Sequence, residues 1–197
     1  DAIVSNPPYS KSWEGKNNTI LINDVRYSPA GVLAPIQRSD LAFTMHMLYH
    51  LSETGTCAIV EFPGVLYRGG AEKKIREYLI KNNFVDTVIQ LPANLFFGVG
   101  IATCIIVIKK NKKDNNILFV DASGECEKKG DKNKLEDENQ NRIVNAYQER
   151  KEEQYFTKLV SNDEVLANGA NLSVSSYVEK EDKREVIDIV ALNEEIE

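Results

Sequence analysis

The sequence predicts an α/β fold that is built on a mainly parallel β-sheet. Short apolar runs of strand length alternate with segments that carry apolar residues at helical spacing, which is the pattern of a parallel sheet covered by helices. The connection over residues 91–103 has no helical periodicity and is short for a crossover, so the strand after it is expected to return antiparallel. With 42% hydrophobic and 27% charged residues, a chain of 197 residues can bury one substantial core.

The individual elements are predicted from local patterns along the chain. Apolar runs bounded by turn residues predict strands, whereas apolar residues at helical spacing behind a capping residue predict helices. Ser39 or Asp40 caps the first helix, and Gly55 is expected to end it. In chain order the predictions are a strand at 3–4, a long loop at 11–38, a helix from 39 or 40, a strand at 57–61, a helix at 71–81, and strands at 84–91, 104–109 and 117–120.

The character of the sequence changes near residue 122, where the alternation of strands and helices stops. The remainder is expected to contain a polar excursion at 125–142, a helix with a thin apolar stripe (Leu135, Ile143, Val144, Tyr147), a short helix opened by a capping box at 161–164, a loose strand at 172–178 and a Glu-rich tail at 179–197 that is a polar helix or disordered. We therefore divide the chain into residues 1–121 and a mainly helical extension, 122–197.

The most informative residues are Asn6, Pro7, Pro8 and Tyr9, which directly follow the first predicted strand. The prolines restrict φ and lack an N–H, so the loop is stiff and its carbonyl groups stay free to accept hydrogen bonds. The Asn6 side-chain oxygen and the Pro7 carbonyl can both accept protons from a planar –NH₂ group, which draws the nitrogen lone pair out of conjugation. The Tyr9 ring can stack on the ring that carries the amine. These residues predict methylation of a flat amide or an exocyclic amine, although a proline-rich turn with a buried tyrosine would have the same sequence.

This tetrapeptide is similar to the catalytic motif of the amino-methyltransferases that use S-adenosylmethionine. The chain more closely resembles the methylation subunit of type I restriction-modification systems, and the resemblance covers nearly all of residues 1–178. The further motifs that carry it are Asn23-Asp24-Val25-Arg26-Tyr27-Ser28-Pro29, Ser39-Asp40-Leu41-Ala42-Phe43, Phe62-Pro63-Gly64-Val65-Leu66-Tyr67-Arg68-Gly69-Gly70, Leu91-Pro92-Ala93-Asn94-Leu95-Phe96-Phe97-Gly98, Ile101-Ala102-Thr103-Cys104 and Asn171-Leu172-Ser173-Val174-Ser175.

The resemblance implies a fold and an activity. The fold would be the second half of a Rossmann-like methyltransferase sheet, with one antiparallel strand near its edge and the strands at 3–4, 57–61, 84–91 and 104–109 side by side. The half with the Gly-rich cofactor loop would be absent, so the chain is expected to be a piece of a longer protein. The complete protein would transfer methyl from S-adenosylmethionine to the exocyclic amine of adenine in DNA, and this chain alone would be inactive.

The resemblance also implies roles for the tetrapeptide. Asn6, Pro7, Pro8 and Tyr9 would be catalytic, and Tyr9 would stack on the target adenine. Asn6 and Pro7 would also touch the cofactor, whose main binding motif is missing. No metal is expected.

Two phenylalanines are weaker candidates for the same site. Phe97 is expected to stack on the flipped base, and it is preferred over Phe96 because Gly98 leaves space beside it. Phe43 would line the cofactor or base pocket. The alternative is that Asp40 and Phe43 are only a helix cap and a core aromatic.

The partners implied by the resemblance are DNA, a specificity subunit and a restriction subunit, in the cytoplasm. The extension at 122–197 is expected to dock a partner subunit, and the alternative is that its apolar stripes pack back on the sheet. The net charge is −6, and the compact basic run at 109–113 is interpreted mainly as a solvated strand end. We therefore do not expect this chain to grip DNA by itself.

Other classes of function find little support in the sequence. No apolar run approaches the roughly 20 residues that span a bilayer, and the three cysteines lack metal-ligand spacing and are expected to be reduced thiols. His46 and His50 are expected to be ordinary helix residues, because the glutamate of a zinc-binding HExxH motif is missing between them. The segment Arg68-Gly69-Gly70 is either a phosphate-binding turn or a flexible one.

Two alternative functions stay open. Enzymes that methylate a glutamine side chain of translation release factors carry the same tetrapeptide, but they resemble this chain only around residues 3–9. The second alternative is a non-catalytic assembly module, because nothing in the chain is expected to bind the adenosine and methionine parts of the cofactor.

Overall fold

The structure, a computed structural model, describes residues 1–98 and 100–180 and confirms the predicted α/β fold class. Its strands are β1 (Ala2–Ser5), β2 (Thr56–Glu61), β3 (Val85–Gln90), β4 (Cys104–Lys109), β5 (Asn116–Asp121), β6 (Glu127–Lys129), β7 (Lys132–Lys134) and β8 (Thr157–Ser161). Its α-helices are α1 (Thr19–Ile22), α2 (Asp40–His50), α3 (Ala71–Lys81), α4 (Asp137–Glu149) and α5 (Asn162–Ala167). In this described part, no helix has the length and apolar character to cross a membrane.

Six strands form one sheet in the order β1-β2-β4-β3-β5-β8. β1 is parallel to β2 and β3 is parallel to β5, whereas β4 is antiparallel to both β2 and β3. The predicted antiparallel return of β4 and the side-by-side arrangement of β1 to β4 are therefore confirmed. The position of the reversed strand near the sheet edge is wrong, because β5 and β8 extend the sheet beyond β3. The carboxyl ends of β1, β2, β3 and β5 all lie at one edge of the sheet.

The two long helices before β3 pack their apolar faces on the core. α3 occupies the predicted residues 71–81, and Ile75 and Leu79 are both 1% exposed. α2 begins at Asp40 as predicted but ends at His50, because Leu51 adopts an extended backbone with ψ of 132°. The predicted end at Gly55 is therefore wrong, and Gly55 instead closes a turn by donating its N–H to the Ser52 carbonyl at 3.0 Å. The 11–38 loop contains α1 and two single turns of 3-10 helix.

The extension contributes to the same sheet and core as the rest of the chain. β8 pairs antiparallel with β5, and its residue Val160 is 2% exposed. Val165 on α5 is fully buried, and Ile143 on α4 is 8% exposed. These apolar residues thus pack back on the sheet, whereas Val144 of the α4 stripe is 47% exposed. Docking of a partner by the extension stays a prediction. The burial of most of these apolar residues weakens it, because buried residues are not available to a partner.

Several local predictions in the extension need correction. The polar excursion contains a two-stranded hairpin, β6–β7, before α4 begins. Residues 172–178 contain a 3-10 helix at Val174–Ser176 instead of a strand. One bond of the predicted capping box is present, because the Ser161 side chain accepts from the Glu164 N–H at 3.2 Å. Most of the Glu-rich tail, 181–197, lies outside the described residues.

Arg76 on α3 joins segments that are distant in sequence. Its side chain is 1% exposed, its Nε donates to the Ala170 carbonyl at 2.7 Å, and its Nη1 donates to the Val65 carbonyl at 2.8 Å. Burial lowers the pKa of Arg76 to about 10, although the negative charge of Glu72 opposes the change. The side chain therefore stays charged at neutral pH and fastens the segment after α5 to the helix.

We expect Arg76→Ala to lower the free energy of unfolding by about 3 kcal/mol, because two buried carbonyl groups lose their donor and a cavity remains. Lys74→Ala is the matched control on an exposed position of the same helix and is expected to change stability by less than about 0.5 kcal/mol. Urea unfolding of both variants measures the difference. Equal stability of the two variants would contradict the role assigned to Arg76.

Candidate active site

The residues Asn6 to Tyr9 form a loop that leaves the carboxyl end of β1. The parallel register pairs Ser5 with Ile59 of β2, so the loop lies beside the last residues of β2. Pro7 is buried and anchors the loop, whereas Asn6 and Pro8 are exposed and Tyr9 is half-buried. Binding sites in open α/β sheets lie outside the carboxyl ends of strands. The predicted catalytic residues therefore occupy the position where such a site is expected.

The two functional side chains of this loop contact each other. The Tyr9 hydroxyl donates to Asn6 Oδ1 at 2.8 Å. Burial, and then the nearby Glu61 carboxyl group, raises the pKa of Tyr9, so the phenol remains a donor at neutral pH. An amide oxygen accepts two hydrogen bonds. Asn6 Oδ1 therefore retains one lone pair for a substrate amine while Tyr9 orients the carboxamide.

The loop ends at a strained residue that is held by Asp40. Ser10 has a left-handed φ of +50°, which is uncommon for a residue with a side chain. Its N–H donates to Asp40 Oδ1 at 2.7 Å, and Asp40 is 1% exposed. Asp40 is the first residue of α2, but Ser39 occupies the N-cap position and makes no side-chain capping bond. Asp40 therefore accepts a hydrogen bond from the loop and does not cap the helix.

Glu61, the last residue of β2, is a component of the site that the sequence analysis missed. Its side chain is fully buried, and Oε1 accepts from Thr44 Oγ1 of α2 at 3.0 Å. Burial raises the pKa of Glu61 to about 8, and the negative charge of Asp40 adds to the effect. An acidic residue that ends an apolar strand directly before Phe62 was the available signal in the sequence.

The loop that contains Phe96 and Phe97 leaves the carboxyl end of β3, at the same edge of the sheet. Phe97 is 93% exposed, and Phe96 is half-buried. Gly98 has φ of +73°, which is favourable only for glycine. The exposure of Phe97 leaves its ring available to a ligand. Its contact with a base stays a prediction, and so do the catalytic roles of the tetrapeptide.

The hairpin β6–β7 supports this aromatic loop from one side. Asn133 donates its backbone N–H to the Asn94 carbonyl at 3.1 Å and its Nδ2 to the Ala93 carbonyl at 2.9 Å. Lys132 Nζ donates to the Phe96 carbonyl at 3.1 Å. The polar excursion of the sequence therefore has a defined structural partner.

Phe43 lies on α2, half-buried and packed against the main core cluster. This arrangement agrees with the core aromatic that was one of the two alternatives for Phe43. A part in a cofactor or base pocket stays a prediction.

The basic run at 109–113 is engaged in contacts within the protein. Lys109 pairs with the buried Asp86 at 3.3 Å, and Lys110 pairs with Glu53 at 3.3 Å. Lys112 Nζ donates to a backbone carbonyl of β3 at 2.8 Å. These contacts agree with the interpretation of the run as a strand end and do not favour a phosphate-binding stripe.

The other candidate residues of the sequence analysis, the two histidines and Arg68, make contacts within the protein. The rings of His46 and His50 are 4.5 Å apart on α2, and Nδ1 of His46 lies 3.2 Å from Nη1 of Arg26. Arg68 pairs with Glu72 at 3.6 Å. Over residues 1–98 and 100–180, no group of three or more His, Cys, Asp or Glu side chains is arranged to hold a metal ion. All three cysteines are free, as expected.

Comparisons with known proteins agree on one family. The family model described as N-6 DNA Methylase matches residues 1–186. The type I restriction enzyme MpnII methylase subunit of Mycoplasma pneumoniae is 47% identical over 198 residues, which cover 100% of this chain and 36% of that protein. The MjaVII methylase subunit of Methanocaldococcus jannaschii is 34% identical over 201 residues, which cover 96% of this chain and 34% of that protein.

A solved structure gives the same result. The crystal structure of the type I restriction-modification system methyltransferase subunit from Streptococcus thermophilus has a TM-score of 0.88 and 41% sequence identity, and it covers 91% of this chain and 38% of that chain. The chain thus spans about a third of the length of the curated relatives that it matches.

We expect Glu61→Gln to change how stability depends on pH. Because the folded state raises the pKa of Glu61 from 4.5 to about 8, it binds this proton more tightly than the unfolded state does. Stability of the wild type should therefore fall by about 1.4 kcal/mol per pH unit as pH rises through that interval. Glutamine has no such proton, so this fall should disappear in the variant.

The measurement is urea unfolding of both proteins at several pH values between about 5 and 8. Glu53→Gln, which removes an exposed carboxylate, controls for the loss of one negative charge. Parallel stability curves for the wild type and Glu61→Gln would contradict a neutral, buried Glu61.

Proposed function

The chain belongs to the N-6 DNA methylase family, and we propose that the natural protein that contains it is the methylation subunit of a type I restriction-modification system. Its reaction is the transfer of a methyl group from S-adenosylmethionine to the exocyclic amine of adenine in DNA. The observation that carries the proposal is the Asn6–Tyr9 loop, which leaves a strand end with its carboxamide and ring accessible. The names of the relatives, all methylase or methyltransferase subunits, support it.

The residues of the loop act by positioning and electrostatics. Asn6 Oδ1 and the Pro7 carbonyl accept the two hydrogen atoms of the adenine amine, which localises the lone pair on nitrogen and directs it out of the ring plane. The stiffness of the two prolines keeps both acceptors in place during the reaction. Tyr9 stacks on the adenine ring and orients Asn6 through its hydroxyl. No nucleophile from the protein would be required, because the amine nitrogen itself would bond to the methyl carbon as the bond from that carbon to the sulfonium sulfur breaks. The thioether would leave, and the methylated amine would release one proton.

The cofactor contributes an electrophilic methyl group when it is bound. Of the residues in this chain, the exposed Asn6, the neighbouring Pro7 and the half-buried Phe43 are suited to one side of its site. The sequence contains no Gly-rich loop for the remainder of the cofactor. Val4 of β1 is 83% exposed, which leaves room for further residues of the natural protein beside this edge of the sheet. We infer that this chain contributes the amine side of a larger site.

Phe97 is the proposed second stacking residue for the target base. An enzyme that methylates a base within a duplex has to extrude it, and stacking in the pocket offsets part of that cost. The 93% exposure of Phe97 and its place at the same sheet edge as Tyr9 support this role. The half-buried Phe96 then anchors the loop.

The proposed partners are DNA, a specificity subunit and a restriction subunit, with the cytoplasm as the location. In this proposal the extension docks a partner through the exposed side of α4, where Val144 is 47% exposed, together with the tail. The release-factor alternative is disfavoured, because the family match extends far beyond the tetrapeptide to residue 186. A chain without the rest of the natural protein is expected to be inactive.

In the complete natural protein, we expect Asn6→Ala to reduce methyl transfer about 100- to 1000-fold, because one preorganised acceptor for the amine is lost. Tyr9→Ala is expected to reduce it by an amount that corresponds to about 1–3 kcal/mol of base stacking. Tyr9→Phe, which keeps the ring and removes the hydroxyl contact with Asn6, is the matched control and should retain more activity than Tyr9→Ala. The assay is methyl transfer to adenine-containing duplex DNA, with thermal unfolding as a test of folding. Wild-type rates in Asn6→Ala would refute the catalytic assignment, and transfer to a release factor in place of DNA would favour the alternative.

We expect the isolated 1–197 chain to bind S-adenosylmethionine only weakly, because it contains the amine-holding loop without a Gly-rich turn. Isothermal titration calorimetry of the chain and of the complete protein measures the difference directly. Micromolar binding by the isolated chain, about −8 kcal/mol, would show that it contains the main cofactor site.

A further inference from the structure

We propose that Asp40 and Glu61 are positioning residues that share one proton as a buried pair and hold the Asn6–Tyr9 loop in place for methyl transfer. The part played in methyl transfer rests on the proposed function. The shared proton and the attachment of the loop do not depend on the proposed function, because they are inferred from the contacts that the loop makes within the protein.

The first observation is the attachment of the loop to Asp40. Ser10 occupies the left-handed region, which disfavours residues other than glycine by about 1–2 kcal/mol. The hydrogen bond from its N–H to Asp40 Oδ1 is only 2.7 Å long, as is usual for a carboxylate acceptor. Asp40 is 1% exposed, so water does not compete for this oxygen. The strained turn directly after Tyr9 is therefore maintained by one buried carboxylate.

The second observation is the placement of Glu61 next to that carboxylate. Asp40 and Thr44 are one helical turn apart and lie on the same face of α2. Thr44 Oγ1 donates to Glu61 Oε1 at 3.0 Å, which brings the Glu61 carboxyl group to this face. The other two oxygens, Asp40 Oδ2 and Glu61 Oε2, are buried and have no hydrogen-bond partner among the described residues. One proton kept by Glu61 and donated to Asp40 satisfies both oxygens at once.

The groups that face Glu61 disfavour a second negative charge there. Burial raises the pKa of Glu61 to about 8, followed by the effect of Asp40. The Tyr9 phenol and the Cys104 thiol are both neutral and both near this carboxyl group, and each has its own pKa raised, chiefly by burial and further by Glu61. Cys104 Sγ also contacts the Glu61 backbone carbonyl at 3.5 Å.

A further charged group near Glu61 is Glu72 of α3, which also raises the pKa of Glu61. Glu72 pairs with Arg38 at 3.5 Å and with Arg68 at 3.6 Å. The two arginines are thus engaged by a different carboxylate. Hydrogen bonds from Thr44 and from the Phe62 backbone favour the charged form of Glu61, but burial and the charge of Asp40 outweigh them.

The shared proton predicts a loss of activity at alkaline pH. When Glu61 gives up its proton, Asp40 and Glu61 are two buried negative charges that repel each other. Asp40 then moves away from the Ser10 N–H, and the loop relaxes from its strained position. Methyl transfer should therefore decline as pH rises above about 8.

The test uses the complete natural protein and two variants. Glu61→Gln donates from its amide to Asp40 at every pH, so its kcat/KM should no longer decline as the pH rises above about 8. Asp40→Ala should lower kcat/KM about 10- to 100-fold, because the loop is misplaced, and should speed hydrogen–deuterium exchange in the peptide that covers residues 6–12. If Asp40→Ala does not fold, Asp40→Asn should show the same changes at smaller size. Infrared spectroscopy at neutral pH should show the C=O stretch of a protonated carboxyl group in the wild type and lose it in Glu61→Gln.

Asp86→Asn is the control for a buried acid outside this pair. Asp86 is 2% exposed, pairs with Lys109 and Arg150, and lies at the opposite end of the sheet strands. Its variant should lose stability without changing the alkaline decline.

An unchanged decline or an unchanged carboxyl band in Glu61→Gln would overturn the shared proton. Wild-type exchange and kcat/KM in both Asp40 variants would overturn the hold on the loop. If the infrared and exchange results are as expected but the protein does not methylate DNA, the proposed function is refuted. The proposal of a buried acid pair that holds the loop is then still supported.

Discussion

The antiparallel strand β4 is the constraint on which most of the structure depends. Its hydrogen bonds join two parallel pairs, β1–β2 and β3–β5, into one sheet. The first residue of β4, Cys104, is level with Glu61 at the end of β2 and with Gln90 at the end of β3. This register brings the carboxyl ends of β2 and β3 together and places Glu61 under the loop that leaves β1. The location of the site is therefore a consequence of strand pairing.

The site combines a rigid, exposed loop with two neighbouring residues, Ser10 and Glu61, whose conformation or burial lowers the stability of the fold. The prolines stiffen the loop at little energetic cost, because Pro8 is exposed and Pro7 packs in the core. A left-handed Ser10 and a buried Glu61 each lower stability, since one is sterically strained and the other is desolvated. Such features persist where surrounding packing determines them, and they are concentrated at functional positions. Here Ser10 directly follows the proposed catalytic residues in the chain, and Glu61 is buried near Tyr9.

The extension completes the sheet and does not form a separate body. β8 covers the edge of β5, which would otherwise present unpaired backbone groups. Arg76 and the buried Val165 attach the following segment to α3. A partner subunit that binds the extension would therefore bind a surface that is rigidly connected to the strands of the site.

The sequence by itself determined the features that depend on local chemistry. Periodicity and turn residues identified β1 to β5 and the helices α2 and α3, although they missed the short α1 and the end of α2. The short connection after β3 predicted the reversal of β4. The prolines beside Asn6 and Tyr9 identified the loop, because their restriction of the backbone does not depend on distant residues.

Only the tertiary structure decided which distant segments become neighbours. β8 is a strand because β5 offers a free edge, and Val174–Ser176 is a single 3-10 turn because it packs under the sheet. In the sequence, Glu61 is an ordinary acidic residue at a strand end. It becomes a buried, neutral acid only when α2, β4 and Asp40 surround it, because desolvation and the repulsion between charges depend on three-dimensional proximity and not on the order of residues.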